Sequence, residues 1–511
     1  MAKKNNLGIV LAGLLLGILM ASMDNTIVAT AMGTIVGELG GLDKFVWVTS
    51  AYMVAEMAGM PIFGKLSDMY GRKRFFVFGV VVFMIGSALC GMAESITQLS
   101  VFRAIQGIGA GAMIPVAFTI MFDVVAPENR GKLGGLFGAV FGLSSIFGPL
   151  LGAYITDYLR WEWVFYINLP LGVVAFVMIA FFYRESAVHA RQKIDWRGAV
   201  TLVGAIVCLM FALELGGKEY AWDSVQILGL FAGFVALTVV FMYVETKEEE
   251  PIITFGMFQS RLYASSNAIA ILSGAAFIVA SVYIPIFIQG VLGGRATNSG
   301  LVLLPMMVGS VVTASLGGAL LGKFKYRSIM IPTLVMLVAG MGLLATLTPD
   351  SSRAIITIYM VLVGLGIGAS FSVLSNAAIH SFPATQRGAA SATLNFLRSL
   401  GMTLGITIYG IVQSHSMTNR LTDAFAGAGA GPGGPPPGID LKDPRELLEP
   451  TTRAGIPAPI LEKITDALST SIVQTFLLAL VPAALALLAS LAMGGEKLDP
   501  TKQDEEFVAS H

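Results

Sequence analysis

Apolar runs long enough to cross a bilayer recur from one end of this 511-residue chain to the other. A spanning helix needs about 20 apolar residues. Segments of that kind fall near 7–32, 46–63, 75–92, 96–120, 133–156, 168–183, 198–215, 225–244, 264–288, 299–321, 328–347, 354–379, 389–412 and 470–493, which makes fourteen. The runs are continuous rather than alternating. They therefore read as helices, which satisfy their own backbone groups in lipid, and not as barrel strands. Composition agrees: 13% of residues are charged, against about 25% in soluble domains. The 32 basic and 32 acidic residues cancel, so no net field favours nucleic acid. Cys90 and Cys208 sit inside apolar runs and imply no disulfide framework. The opening MAKKNN followed by an apolar run imitates a secretory signal. The run is too long for one and recurs, so it reads as the first span.

Lys and Arg concentrate in cytoplasmic loops. With the N-terminus placed in the cytoplasm, the inner segments hold twenty of the 32 Lys and Arg, and the outer segments hold ten. Five of those ten lie in one long loop, 413–468, where the rule is weakest. Both termini are thus expected inside. The 413–468 loop contains GAGAGPGGPPPG, which cannot form regular structure. It reads as a surface insertion, with short amphipathic helices over DPRELLEP and PAPILEKITDALSTSI.

Three motifs follow one another. In GKLSDMYGRKR (64–74), Gly64 and Gly71 permit a tight reversal between spans 2 and 3. Asp68 among Arg72, Lys73 and Arg74 can lock two helices through ion pairs; the plain alternative is positive-inside anchoring. In VFRAIQGIGAGAMIPV (101–116), Arg103 lies on one face with Gln106, Gly107 and Ala110. It either pairs within the protein or snorkels to the interface. Gly107, Gly109 and Gly111 let neighbouring backbones close in. In GLSSIFGPLLGA (142–153), Gly148 and Pro149 predict a kink, and Gly138, Gly142, Ser145, Gly148 and Gly152 form a small-residue stripe.

In this order and spacing the motifs resemble the major facilitator superfamily. The first matches its loop signature almost fully. The second matches its Arg-bearing span-4 motif. The third is similar to its Gly-Pro antiporter motif but carries Ser144 and Ala153 where two glycines are usual. WEWVFYINLPLG (161–172), MDNTIVATA around Asp24, and PIFIQGVLGGRATNSGLVLLP (285–305) resemble the fourteen-span drug:proton antiporter branch, the EmrB/QacA-like proteins. The resemblance implies an all-α polytopic major facilitator fold. An N-terminal six-helix bundle would occupy 1–183, two additional helices 184–254, a C-terminal bundle 255–493 with its insertion, and a cytoplasmic tail 494–511. It also implies alternating access, with Asp68 and Arg72 working with Asp123 at the inner end of span 4. GALLGKFKYR (318–327) is a worn copy of the first motif. Gly322 stands at the aspartate position, so the lock should lie mainly on the N-terminal side.

Asp24, Glu56, Arg103 and Arg398 lie well inside spans, where an ionisable residue signals function. Asp24 is about 24 Å along its helix from Gly8 at 1.5 Å per residue, in the outer half. Arg103 sits at similar depth, and the resemblance implies that its helix neighbours that of Asp24, so the two should communicate directly or through water. A carboxylate alternating between wet and occluded surroundings can carry a proton. Glu56, nearer the midplane, can bind a cation or the proton, or serve as a structural acid. Gln289, Asn395 and Asn168 line the cavity or merely bond helix to helix. Arg398 either snorkels inward or faces the cavity. The 25 Met and 31 Phe suit adaptable apolar binding, though most such residues face lipid or packing.

The resulting expectation is a proton-coupled multidrug efflux antiporter, of the kind that confers antibiotic resistance. It would export amphipathic, cationic compounds as a monomer in a bacterial inner membrane. The rivals are a proton-coupled exporter of one endogenous metabolite, lipid, siderophore or peptide, and a nutrient facilitator without proton coupling. A channel or sensor is disfavoured by the inner-loop lock. No phosphate-binding Gly-x4-Gly-Lys-Ser/Thr loop occurs, so the driving force should be the proton gradient. No enzymatic activity, metal, cofactor or nucleic-acid partner is expected. The sites named are Asp24, Arg103 and Glu56 for the proton; Glu56, Asp24, Gln289 and Asn395 for substrate; Gly64, Asp68, Gly71, Arg72 and Asp123 for the lock; and Gly148, Pro149 and Gly152 for the kink.

Overall fold

A computed structural model describes residues 6–39, 46–125, 136, 140, 143–144, 147–152, 154–156, 158–185, 195–217, 219–248, 251–293, 296–425 and 456–497. The chain is helical. The elements are α1 (Leu7–Leu39), α2 (Val46–Tyr70), α3 (Arg72–Cys90), α4 (Ile96–Val124), α5 (Phe147–Thr156), α6 (Trp163–Phe182), α7 (Trp196–Leu215), α8 (Val225–Glu245), α9 (Arg261–Val291), α10 (Ala296–Leu320), α11 (Tyr326–Leu344), α12 (Arg353–Ile379), α13 (Arg387–Phe425) and α14 (Ala458–Ala492). Short polar side chains start several of them. Ser95, Asp195, Ser224, Ser260 and Ser352 each accept a bond from the backbone N–H three residues on, which satisfies a donor the helix leaves open.

Among the described residues, eleven helices are long and apolar enough to cross a membrane. That is fewer than the fourteen segments read from sequence. α2 and α13 fall outside the eleven; they carry Glu56, Lys65, Asp68, Asn395 and Arg398 among their apolar residues, and they pack against each other. α5 is described only in part.

Helix pairing repeats along the chain. α2 packs on α4, α3 on α4 and α1 on α6; later, α10 packs on α12, α11 on α12 and α9 on α14. The close approaches repeat as well. A Cβ at Gly107 or Gly111 of α4 would strike the carbonyls of Tyr52 and Glu56 on α2. A Cβ at Gly364 or Gly368 of α12 would strike those of Met306 and Ser310 on α10. In both halves, two glycines one turn apart seat on two carbonyls one turn apart. Only a missing side chain permits backbones that near.

One apolar core runs through α9–α14, from Met257 to Met493. Two smaller ones lie within α1–α6. A fourth joins Met57 and Met60 of α2, Leu202 and Ile206 of α7, Phe241 of α8 and Phe396 of α13, and so fixes the α7–α8 pair to the junction of the halves. α8 keeps Val225, Leu228, Val235, Val239 and Met242 exposed, which suits a helix lying in lipid.

Two expectations change. The insertion was placed at 413–468, but α13 continues as helix to Phe425 and α14 starts at Ala458. PAPILEKITDALSTSI is therefore the first turns of a 35-residue helix rather than a separate short one. At 1.5 Å per residue α14 is about 52 Å long, well beyond a hydrocarbon core of about 30 Å. DPRELLEP lies outside the described residues. Gly64 does not make the reversal after span 2. It lies inside α2, and Gly71, with φ 107°, makes the turn.

Candidate functional site

Asp24, on α1, is fully buried. Burying a charge is unfavourable by several kcal/mol unless other groups replace its water. Here three side chains do so. Arg103 of α4 forms an ion pair with Oδ2, and both residues are sealed from solvent. Gln106, one turn on from Arg103, donates Nε2–H to Oδ1 at 2.8 Å. Asn168 at the start of α6 donates Nδ2–H to the same oxygen at 2.9 Å. The two amides are oriented by Ser87 of α3, whose Oγ accepts from Gln106 at 3.2 Å and from Asn168 at 3.0 Å. Ser87 passes its own proton to the Phe165 carbonyl at 2.8 Å.

Arg103 is held as fully. Nη1 donates to Gln106 Oε1 at 2.7 Å, Nε donates to the Val48 carbonyl at 3.2 Å, and Nη2 reaches Asn25 Oδ1 at 3.5 Å. Its guanidinium carbon stands 4.1 Å from the Tyr52 ring centroid, a cation–π distance. One ion pair thus ties α1, α2, α3, α4 and α6 together. Arg103 does not snorkel, and the direct form of the Asp24–Arg103 contact is the one observed. The charge on Asp24 is thus part of what holds these helices together.

Glu56, on α2, is half-buried and makes a hydrogen bond with the Asn25 side chain. Asn25 therefore bridges Glu56 to Arg103. Gln289 lies in the widened π turn Phe287–Val291 that ends α9, a type of irregularity frequent at functional sites. Asn395 is buried on α13. Its amide donates to the Ser391 carbonyl at 2.9 Å, and its Oδ1 accepts from Arg398 at 3.2 Å. Arg398 is only 7% exposed and does not snorkel. No contact recorded for Asn395 reaches the Asp24 network.

The second cluster stands where α2, α3, α4 and α13 meet. Arg72 donates to Asp68 Oδ1 at 3.1 Å and pairs with Asp123. Its backbone N–H bonds Glu185. Asp68 also accepts from the backbone N–H groups of Gly388 at 3.0 Å and Ala389 at 2.8 Å, in the first turn of α13. A carboxylate at a helix N-terminus meets both open donors and the positive end of the dipole. Burial pushes the Asp68 carboxyl up, opposed by Arg72, the Ala389 amide and Lys65. A Cβ at Gly64 would land on Ala392 and against the Gly388 carbonyl, so Gly64 is what lets α2 and α13 touch here. The two halves are clasped at this end.

Gly148 and Gly152 of α5 face α1. A Cβ on either would strike the hydroxyl of Thr26 or Thr30, and Thr26 Oγ1 donates to the Ser144 carbonyl at 3.0 Å. Residues 145 and 146, needed to describe a kink at Gly148–Pro149, lie outside the described residues, as do Gly138 and Gly142. Ser87 and Asn25 were missed by sequence reasoning. Neither carries a charge, and a serine in an apolar run gives no signal of the partner it will meet. No group of three or more His, Cys, Asp and Glu that could hold a metal occurs among the described residues.

Among solved structures, the proton:xylose symporter XylE aligns with 97% of this chain and 98% of its own, at TM-score 0.59 and 14% identity. The human organic anion transporter MFSD10 aligns with 94% and 99%, at TM-score 0.58 and 15% identity. These likenesses show the fold. In sequence, Multidrug resistance protein 3 of Bacillus subtilis (strain 168) is 54% identical over 502 residues, 98% of each chain. Multidrug transporter protein MdtP of the same organism is 39% identical over 421 residues, 82% of this chain and 78% of its own. The sequence model of the Major Facilitator Superfamily matches residues 14–406. A multi-pass helical protein with this repeat, this match and these relatives is a transporter rather than an enzyme, and the chain belongs to the Major Facilitator Superfamily.

Proposed function

We propose that the protein is a proton-coupled multidrug antiporter that exports amphipathic, cationic compounds by alternating access across a bacterial cell membrane, with both termini cytoplasmic. The observation that carries this reading is the sealed Asp24–Arg103–Gln106–Asn168 network, a carboxylate whose charge state and helix contacts are linked. The B. subtilis relatives named for multidrug resistance and transport support the substrate class. In this reading the chain has fourteen spans and belongs to the EmrB/QacA-like branch. α1–α6 and α9–α14 form the two bundles, α7–α8 the accessory pair, and the transporter works as a monomer.

The Asp68–Gly388–Ala389 clasp closes the cytoplasmic side in the state described. Protonation of Asp24 weakens its hold on Arg103 and permits the helices around it to shift. Glu56, on the helix that carries the clasp, attracts the cation. Competition of proton and cation for carboxylates gives exchange without covalent chemistry.

The test is a substrate panel on purified protein in proteoliposomes under an imposed pH gradient. Amphipathic cations should accumulate inside inverted vesicles only when the lumen is acidic, with alkalinisation of the lumen as they enter. Transport indifferent to the gradient would refute the coupling.

A further inference from the structure

Arg103 on α4 and Arg398 on α13 are each buried well inside a helix of one half. Arg103 is neutralised by Asp24. Arg398 on α13 is not: no carboxylate pairs with it among the described residues. Its recorded hydrogen bonds go to neutral oxygens, Asn395 Oδ1 at 3.2 Å and the Ser370 carbonyl at 3.1 Å, and its guanidinium stands 5.0 Å from the Phe371 ring centroid. A guanidinium keeps its charge at any physiological pH. An uncompensated one in a membrane interior is unfavourable, and a site that retains it is built for an anion.

The surroundings carry a second sign of this. The hydroxyls of Ser370, Ser273 and Ser391 are buried and unpartnered. Ser370 also supplies the carbonyl that Arg398 bonds. Ser273 adjoins Gly274, whose missing Cβ makes room for the Arg398 backbone carbonyl. Ser391 supplies the carbonyl that holds Asn395. Helices α9, α12 and α13 thus each carry an idle buried hydroxyl on a residue that contacts Arg398 or adjoins one of its contacts. The location is also apt. α13 packs along α2, where the halves meet, and Thr403 of α13 reaches Met57 Sδ of α2 at 3.7 Å. Met57 is the neighbour of Glu56. Arg398 lies about 16 Å along α13 from its clasped first turn.

We infer that Arg398, with Ser370 and Asn395, binds the carboxylate of an amphipathic substrate. Glu56 on α2 takes an ammonium and Arg398 on α13 a carboxylate, so a zwitterionic amphiphile bridges the two halves. This rests on the efflux reading above and adds carboxylate-bearing compounds to its substrates.

The test uses two fluorescent probes that differ by one carboxylate, Nε-dansyl-lysine and dansylcadaverine. Their binding to full-length protein in nanodiscs is read without any gradient. Wild type should bind dansyl-lysine about tenfold more tightly than dansylcadaverine, the worth of one charge-assisted contact. Arg398→Gln should erase that preference and leave dansylcadaverine within about twofold, and Arg398→Lys should keep part of it. Equal loss of both probes, or an unchanged preference in Arg398→Gln, overturns the site. If Arg398→Gln does not fold, Arg398→Lys and the wild-type probe pair decide, and a wild-type preference for dansylcadaverine overturns the proposal. A wild-type melting temperature raised by chloride or acetate, lost in Arg398→Gln, with the two probes bound alike, would mean a free-anion site and would also overturn it. Arg398-dependent binding without gradient-driven transport of either probe would uphold the site and refute the efflux reading instead.

Discussion

Asp24 and Arg103 can be separated into structural and functional contributions by a double-mutant cycle. Asp24→Asn leaves Arg103 buried with Gln106 Oε1, the Val48 carbonyl and Asn25 Oδ1 as neutral acceptors. Arg103→Gln leaves a buried carboxylate with only the Gln106 and Asn168 amides. Breaking a buried pair by removing one partner destabilises by about 3–5 kcal/mol. The surviving acceptors place Asp24→Asn near the lower end of that range. In the double variant neither charge of the pair remains buried, so part of the loss should return, with a coupling energy of about 2–3 kcal/mol. Stability is read from denaturant melts of nanodisc-embedded protein, and transport from efflux of dansylcadaverine in proteoliposomes under a pH gradient. The double variant should be about as stable as the worse single variant, rather than destabilised by the sum of both, yet inactive, because it has no carboxylate to protonate at that place. Recovery of gradient-driven transport together with stability would refute the proton role and leave the pair as a structural strut.

Three further outcomes follow from the same geometry. Glu56→Gln should weaken transport of cationic substrates about tenfold, the worth of one charge-assisted contact, and that of neutral ones little; equal loss for both removes Glu56 from charge recognition. Asp68→Asn gives up a carboxylate at the α13 N-terminus, worth about 0.3–2 kcal/mol; a cysteine placed at Ala389 should then react several-fold faster with a membrane-impermeant thiol reagent, and an unchanged rate would count against the clasp. Gly64→Val should prevent α2 and α13 from closing, since even a Cβ there meets Ala392 and Gly388; the same labelling should rise and turnover fall, while the milder Gly64→Ala should show less of both.

Much of the fold was legible because lipid imposes a simple rule. A helix in a bilayer must be apolar for about 20 residues, so apolar length alone marks most spans, and any charge inside one stands out. Asp24, Arg103 and Glu56 were marked that way, and depth along the helix, with the helix adjacency that the family resemblance implies, paired the first two. Asp68 and Arg72 were marked by a glycine-framed run of charges between two spans, and Asp123 by the resemblance. What the chain could not announce was which neutral groups would complete these sites. Ser87 and Asn25 are ordinary residues until five helices converge around them, and Asn168 read as a routine helix–helix bond more readily than as a cavity residue. Gly64 looked like a turn residue because glycine serves both turns and close contacts, and only packing against Ala392 distinguishes them.

The same division holds for Arg398. Sequence placed it far enough into a span to matter but left snorkelling open, since a long side chain can reach an interface from that depth. Tertiary structure decided that it stays buried beside Ser370 and Asn395, whose oxygens hold its guanidinium within the protein. Sequence by itself determined that this is an all-helical membrane protein with costly charges inside its spans. Whether each charge is cancelled, clasped or left waiting for a ligand depends on atoms supplied by other helices, and that only the packed structure could decide.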